Sequence, residues 1–296
     1  MIIDVHTHTF PEKIAAHALE VLSHNSHTRP FSDGTVPGLR ASMREAGITC
    51  SVIQPVATKP EQVRSINDTA VAINSQGESA GVISFGGIHP AFVDVDGELE
   101  RIREAGILGV KIHPVYQGVA IDDERCVRIL RLCGELGLLV MMHAGYDIGF
   151  PDDDSASPAR IARALDMAGS VRVILAHMGG WRCWNEAVRL FAGRENVYVD
   201  SAFSLGKFTP NGDGYYSGGD ECMMLRDDEF ADMVRAFGSE RVLFGTDSPW
   251  SSQADTVRAV MSLGLAEDET GNIMYNNAES LLGGMITSVR SNPSQE

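Results

Sequence analysis

The chain opens Met1-Ile2-Ile3-Asp4-Val5-His6-Thr7-His8-Thr9-Phe10, and the fold is decided by how this stretch is read. Ile2 to Val5 is a short apolar run of the kind a buried strand shows. It leads straight into His6-x-His8. Successive strand side chains point to opposite faces, so residues two apart share a face and stand about 6.6 Å apart along the strand. Two imidazoles so placed can grip one metal ion from the same side. Alone, the pair is equally the end of a terminal strand with two half-exposed histidines. Its meaning depends on what the later strands deliver.

The strand-then-helix rhythm recurs along the chain. Further strands are expected over 48–56, 81–88, 108–113, 138–143, 171–177, 196–201 and 241–246. Helical spacing covers 11–23, 39–46, 60–78, 94–105, 122–135, 158–167, 181–192, 230–237, 254–263 and 267–282. Gly47, Gly106 and Gly137 follow three of these helices, where glycine commonly closes a helix. Ser157 is placed to cap the helix that begins at Pro158. Strands such as Val171 to Ala176 are apolar throughout, as strands covered on both faces must be. Strict alternation implies a parallel sheet. Eight units predict an α/β fold, a (β/α)8 TIM barrel distorted by loops inserted at its C-terminal face. One domain is expected over 1–287, with a flexible tail at 288–296. No G-x-G-x-x-G follows the first strand, which removes the main support for a dinucleotide-binding sheet.

Composition sets the outer bounds. With 296 residues, 44% of them hydrophobic, the chain can bury a large core. The formal net charge is −16, from 40 acidic and 24 basic side chains. That balance argues against nucleic-acid or anionic-membrane binding, which needs clustered Lys and Arg. No apolar run reaches membrane-spanning length. The five cysteines, Cys50, Cys126, Cys133, Cys183 and Cys222, include no C-x-x-C pair. Without a signal peptide, this usage favours free thiols in the cytoplasm.

Residues 203–228 interrupt the rhythm after the seventh strand. Their turn-rich core, 209–220, reads equally as a surface insertion or as a lid carrying Phe203, Tyr215 or Tyr216 over a pocket. Asp152, Asp153 and Asp154 read as a solvated rim. In a parallel barrel all strand ends meet at one rim. There the sequence places His6, His8, His89, Lys111, His113, His143, His177 and Asp247. Six of the nine histidines fall at strand ends, whereas His17, His24 and His27 are expected at the surface. Zinc takes imidazole and carboxylate ligands, and a catalytic site keeps one position open for water. Asp247 can both bind the ion and accept a proton from the attacking water. His177 can orient the water or polarise a substrate oxygen.

His6-x-His8, His143, His177 with Gly179-Gly180, and Phe244-Gly-Thr-Asp-Ser-Pro249 together resemble the amidohydrolase superfamily. The likeness is to the amidohydrolase 2 branch, related to aminocarboxymuconate-semialdehyde decarboxylase, and extends to Asn276-Asn-Ala-Glu-Ser-Leu-Leu282. The resemblance implies one divalent metal, zinc foremost, held by His6, His8, His143 and Asp247, with His177 as the catalytic imidazole. It implies a metal-dependent hydrolase of a small-molecule amide, ester or lactone. The alternative is a non-oxidative decarboxylase or hydratase acting on a carboxylated unsaturated or aromatic substrate. Lys111 and His113 share a strand face and are read as substrate-binding. Lys111 has two other readings: carboxylated, it would bridge two metals, and uncarboxylated, it could pair with Asp4. Asp4 is expected on the face of the two opening histidines, deeper in the barrel. Asp200 is expected to hold a neighbouring side chain. Barrels often pair through exposed helices, which admits a homodimer.

Overall fold

In the computed structural model, which describes residues 1–75, 81–216 and 223–283, strand β1 (Ile3–Thr7) is buried at every position. It pairs in parallel with β2 (Cys50–Ile53), and β2 pairs with β3 (Val82–Ser84). A second ladder runs through β4 (Gly86–Gly87), β5 (Gly109–Ile112), β6 (Leu139–Met142), β7 (Val173–Leu175), β8 (Val197–Asp200) and β9 (Val242–Leu243), again parallel throughout. β3 and β4 are halves of the single strand expected over 81–88. They part at Phe85, whose N–H donates to the Ile53 carbonyl (3.0 Å). The other seam joins the chain's start to its end. Val5 N–H donates to Phe244 C=O (2.9 Å), Asp247 N–H to His6 C=O (2.8 Å) and His8 N–H to Ser248 C=O (2.6 Å). The expected barrel is therefore present, with eight strand positions around the ring.

One irregularity in β1 governs the site. From Asp4 to Thr7 the strand advances three residues while its partner advances from Ser51 to Ile53, a β-bulge. Ile3 and Val5 pack in the barrel interior with Val52, Phe85, Met141 and Ile174. Asp4 lies between them and reaches Thr246 Oγ1 (2.6 Å) and Gln253 Nε2 (2.7 Å). The extra residue then turns His6 to the rim, as bulges beside active sites commonly re-aim a side chain. This corrects the expectation that Asp4 shares a face with His6 and His8, because a strict period of two does not survive the bulge.

The helices cover the ring by burying one face each. These are α1 (Glu12–Ser26), α2 (Val36–Ala46), α3 (Val63–Ser75), α4 (Val95–Glu104), the single turn α5 (Pro114–Gln117), α6 (Glu124–Leu136), α7 (Pro158–Ala168), α8 (Trp184–Phe191), α9 (Asp227–Phe237) and α10 (Gln253–Met261). α6 buries Cys126, Val127, Ile129, Leu130 and Cys133, the stripe of an amphipathic helix. Asp123 caps it by accepting from Arg125 N–H, and Gly137 closes it at φ 72°. Ser157 occupies the cap position of α7 but makes no side-chain cap bond, so only Pro158 follows the expected pattern. α8 starts three residues later than the spacing suggested, because Trp181 to Cys183 form the strand-to-helix loop. At the chain's end α11 (Glu267–Gly271), a π-helical turn (Asn272–Asn276) and α12 (Asn277–Leu282) run on continuously, and Ala278 and Leu282 plug the barrel interior. The expected tail, 288–296, and Cys222 lie outside the described residues. The other four cysteines are free thiols, and no described helix is long and apolar enough to cross a membrane.

The insertion after β8 is anchored over its described part. Arg29 N–H donates to Thr209 C=O (2.7 Å), and Asn211 N–H donates to His27 C=O (2.9 Å). His27 Nδ1 meets Asp213 Oδ2 at 2.6 Å, and its ring stacks on Tyr215 at 3.8 Å. His27, expected to be a surface bystander, thus latches the insertion to the end of α1. Residues 217–222 lie outside the description.

Close approach at the rim generates a first prediction. Gly145, just past β6, has φ 88°, and a Cβ there would stand 2.2 Å from Trp181 N. Gly145→Ala should cost about 3 kcal/mol through overpacking and left-handed strain. Denaturant unfolding checks this, and an unchanged midpoint and slope would show that the two loops do not meet so closely.

Candidate active site

Each imidazole at the rim is set by what its Nδ1 meets. His6 Nδ1–H donates to Asp200 Oδ2 (2.8 Å), a carboxylate that ends β8. His8 Nδ1–H donates to the Gln54 carbonyl (2.8 Å). An imidazole that carries its one N–H at Nδ1 has Nε2 as its metal-binding atom. Those two Nε2 atoms stand 3.2 Å apart. Asp247 Oδ1 lies 3.1 Å from that of His8 and 3.5 Å from that of His6. Around a tetrahedral ion with bonds of about 2.1 Å, neighbouring ligand atoms are about 3.4 Å apart. The donor chemistry and the spacing both fit a divalent cation. Hydrogen-bonded partners behind each ligand are also what metal-binding histidines require.

Asp200 does more than hold His6. Its Oδ1 accepts the backbone N–H of His177 (2.9 Å) and of Ala202 (3.1 Å). Burial pushes its pKa up, yet three donors converge on it, so the carboxylate form is the one its partners bind. Lys111 is buried, and its Nζ donates to His6 Nε2 (3.0 Å). Burial pushes the ammonium down from the usual lysine range, while Asp200, Asp247 and Asp147 pull it back up. Asp4, already engaged by Thr246 and Gln253, is not among the carboxylates acting on it, so the Lys111–Asp4 pairing is corrected.

A second chain of contacts starts at β7. His177 Nδ1–H donates to the Ala202 carbonyl (2.9 Å), which leaves Nε2 to accept from His143 Nδ1–H (3.1 Å). His143 Nε2 is then bare, and it is buried without a partner among the described residues. Burial lowers the pKa of His177 to about 4 and that of His143 well below the usual value, so both rings are neutral at pH 7. The expected ligand set therefore divides. His6, His8 and Asp247 converge, whereas His143 stands beside His177, with its Nε2 3.9 Å from Asp147 Oδ2. His113 stacks on His143 at 4.1 Å, and its Nδ1 caps α5 by accepting Tyr116 N–H (3.4 Å). His89 accepts Ala91 N–H (3.0 Å) and closes a turn. Asp147 and Gln54 went unread in the sequence. Neither lies in a motif, and only the folded loops bring them to the histidines.

Backbone conformation marks the same positions. His177 (φ 60°), Met178 (52°), Phe203 (47°) and Asp247 (62°) all hold left-handed φ just past strand ends. Such conformations cost of order 1 kcal/mol or more each and concentrate at functional sites. Beside them Trp181, Phe203, Phe208 and Met224 form an aromatic-rich wall, edged by Tyr146, Tyr216 and Trp250. Phe203 and Tyr216 join this cluster, whereas Tyr215 is 56% exposed and stacks on His27.

Comparison with known proteins fits this geometry. The profile described as amidohydrolase matches residues 3–284, and the chain belongs to that family of enzymes. Among solved structures it is similar to an uncharacterised TIM-barrel protein of Bordetella bronchiseptica (19% identity, 95% of this chain and 98% of that one, TM-score 0.72). It is similar also to 5-carboxyvanillate decarboxylase of Sphingomonas paucimobilis (15%, 95% and 98%, 0.65). A candidate 2-pyrone-4,6-dicarboxylic acid hydrolase of Pseudomonas putida is a third (17%, 95% and 97%, 0.64). At these identities the likeness carries the fold. No curated protein matches the chain.

Removing the carboxylate behind His6 should weaken metal binding without touching a ligand. Asp200→Ala is expected to lower zinc affinity about 10- to 100-fold. Competition with a chromophoric chelator measures it, with circular dichroism as the check on folding. Undiminished affinity in a folded variant would mean that His6 is not held for a metal.

Proposed function

We propose that the protein is a metal-dependent hydrolase of a small-molecule amide, ester or lactone. The observation that carries this reading is the meeting of His6 Nε2, His8 Nε2 and Asp247 Oδ1 within 3.1–3.5 Å of one another. One divalent ion, zinc foremost, fits these donors, with His143 as the fourth ligand that the family resemblance implies. The buried, bare Nε2 of His143 supports that assignment. Bound there, the ion supplies Lewis acidity at the water and at the scissile carbonyl.

The chain's own residues do the rest. Asp247 accepts the proton of the attacking water and passes it to the leaving group. His177, neutral and fixed by the Ala202 carbonyl, orients the water or the substrate oxygen. Lys111 offers a buried cation for a substrate carboxylate, with His113 beside it. The aromatic wall of Trp181, Phe203 and Phe208 excludes water and suits a flat or unsaturated substrate. A second reading, non-oxidative decarboxylation, is favoured by the same buried Lys111, which would seat the carboxylate to be lost. The free, buried thiols of Cys50, Cys126 and Cys133 suit a cytoplasmic setting.

Two measurements separate these readings. Chelation should abolish turnover of small lactones, esters and amides, with recovery on adding zinc. Asp247→Ala and His177→Ala should each lower kcat by about 10²- to 10⁴-fold. Turnover that survives complete metal removal would sink the proposal. Stoichiometric carbon dioxide release from carboxylated aromatics, with no hydrolysis of any ester or lactone, would replace it by the lyase.

A further inference from the structure

Asp147 belongs to no motif, yet it is buried beside the rim in the loop that follows β6. Its Oδ1 accepts Gly149 N–H (2.8 Å), which fixes the carboxylate. Its Oδ2 faces His113 Nε2 across 3.6 Å. His113 Nδ1 is already an acceptor, from Tyr116 N–H, so its proton sits on Nε2 and points at Asp147. The His113 ring is thus hydrogen-bonded at Nδ1, while the fixed Asp147 carboxylate faces its other nitrogen at ion-pair range. Its face lies flat on His143, with centroids 4.1 Å apart and planes 13° from parallel.

His113, His143 and Asp147 offer three donor atoms close enough to suggest an ion of their own. The stacking excludes it. Each imidazole lone pair lies in its own ring plane. An ion shared by two parallel rings would sit about 2 Å out of both planes, nearly a whole metal–nitrogen bond. We infer instead that Asp147 and His113 form a clamp that sets the plane of His143. The clamp makes Asp147 a positioning residue for the active site. With its plane set, the His143 ring gives Nδ1–H to His177 and leaves Nε2 buried without a hydrogen-bond partner among the described residues. The clamp stands on geometry alone; only the use of the bare nitrogen as a ligand rests on the hydrolase reading.

The test reads the tautomer of His143 directly. Full-length protein labelled with ¹⁵N-histidine is freed of metal with a chelator, so that no ion fixes the ring, and long-range proton–nitrogen correlation shows which nitrogen bears the proton. The wild type should show His143 protonated at Nδ1 alone. Asp147→Ala and His113→Leu should each give averaged signals from two tautomers. Persistence of the single Nδ1–H form in both Asp147→Ala and His113→Leu would overturn the clamp. His113→Leu keeps the test open if Asp147→Ala fails to fold. No substrate or bound metal enters the reading, so a failed hydrolysis screen leaves this result standing, and the reverse.

Discussion

A single backbone hydrogen bond holds the site together: Asp247 N–H donates to His6 C=O at 2.8 Å. It belongs to the seam where the last strand position meets the first. Its neighbours are Val5 with Phe244 and His8 with Ser248. Parallel strands cannot be joined by tight turns, so each pairing is delivered by a helix that crosses back over the sheet. Only when all of these crossings have been made does the opening histidine pair face the late aspartate. Thr246 Oγ1 and Asp4, 242 positions apart, are fastened in the same seam. The site is therefore a consequence of ring closure, and local sequence cannot build it.

Closure also sets the electrostatics. Burial makes charge expensive, so the imidazoles of His6, His143 and His177 titrate far below their solution range and stay neutral. Neutral rings can ligate a cation, and protonated ones cannot. Lys111 and the carboxylates of Asp147, Asp200 and Asp247 are the groups that bring charge into this dry space. Three carboxylates against one ammonium leave two negative charges, which a divalent cation would balance; in this structure Lys111 donates a hydrogen bond to His6 Nε2. The left-handed backbone at His177 and Asp247 is held by the same packed rim.

Much of this was written in the sequence. Apolar runs separated by helical spacing announced the barrel, because strands buried on both faces have no polar side to show. His6, His8 and Asp247 were readable because each stands at the end of such a run. The misses share one cause. The β1 bulge adds one residue without altering composition, and it moved Asp4 off the histidine face. Asp147 sits in a loop, where neither period nor motif marks a residue, so its contact with His113 exists only in three dimensions. His27 read as a surface histidine because its partners, Asp213 and Tyr215, lie almost the whole barrel away in sequence. Phe85 divides the third strand through its pairing with Ile53, a matter of register and not of residue type.

The account rests on one cation bound at one place. Crystals of the protein supplied with zinc, with diffraction recorded on both sides of the zinc absorption edge, locate the ion without assumption. The account predicts one strong anomalous peak within about 2.0–2.2 Å of His6 Nε2, His8 Nε2 and an Asp247 oxygen. An ordered site with no peak there, or a sole peak on surface carboxylates or cysteines, would contradict it.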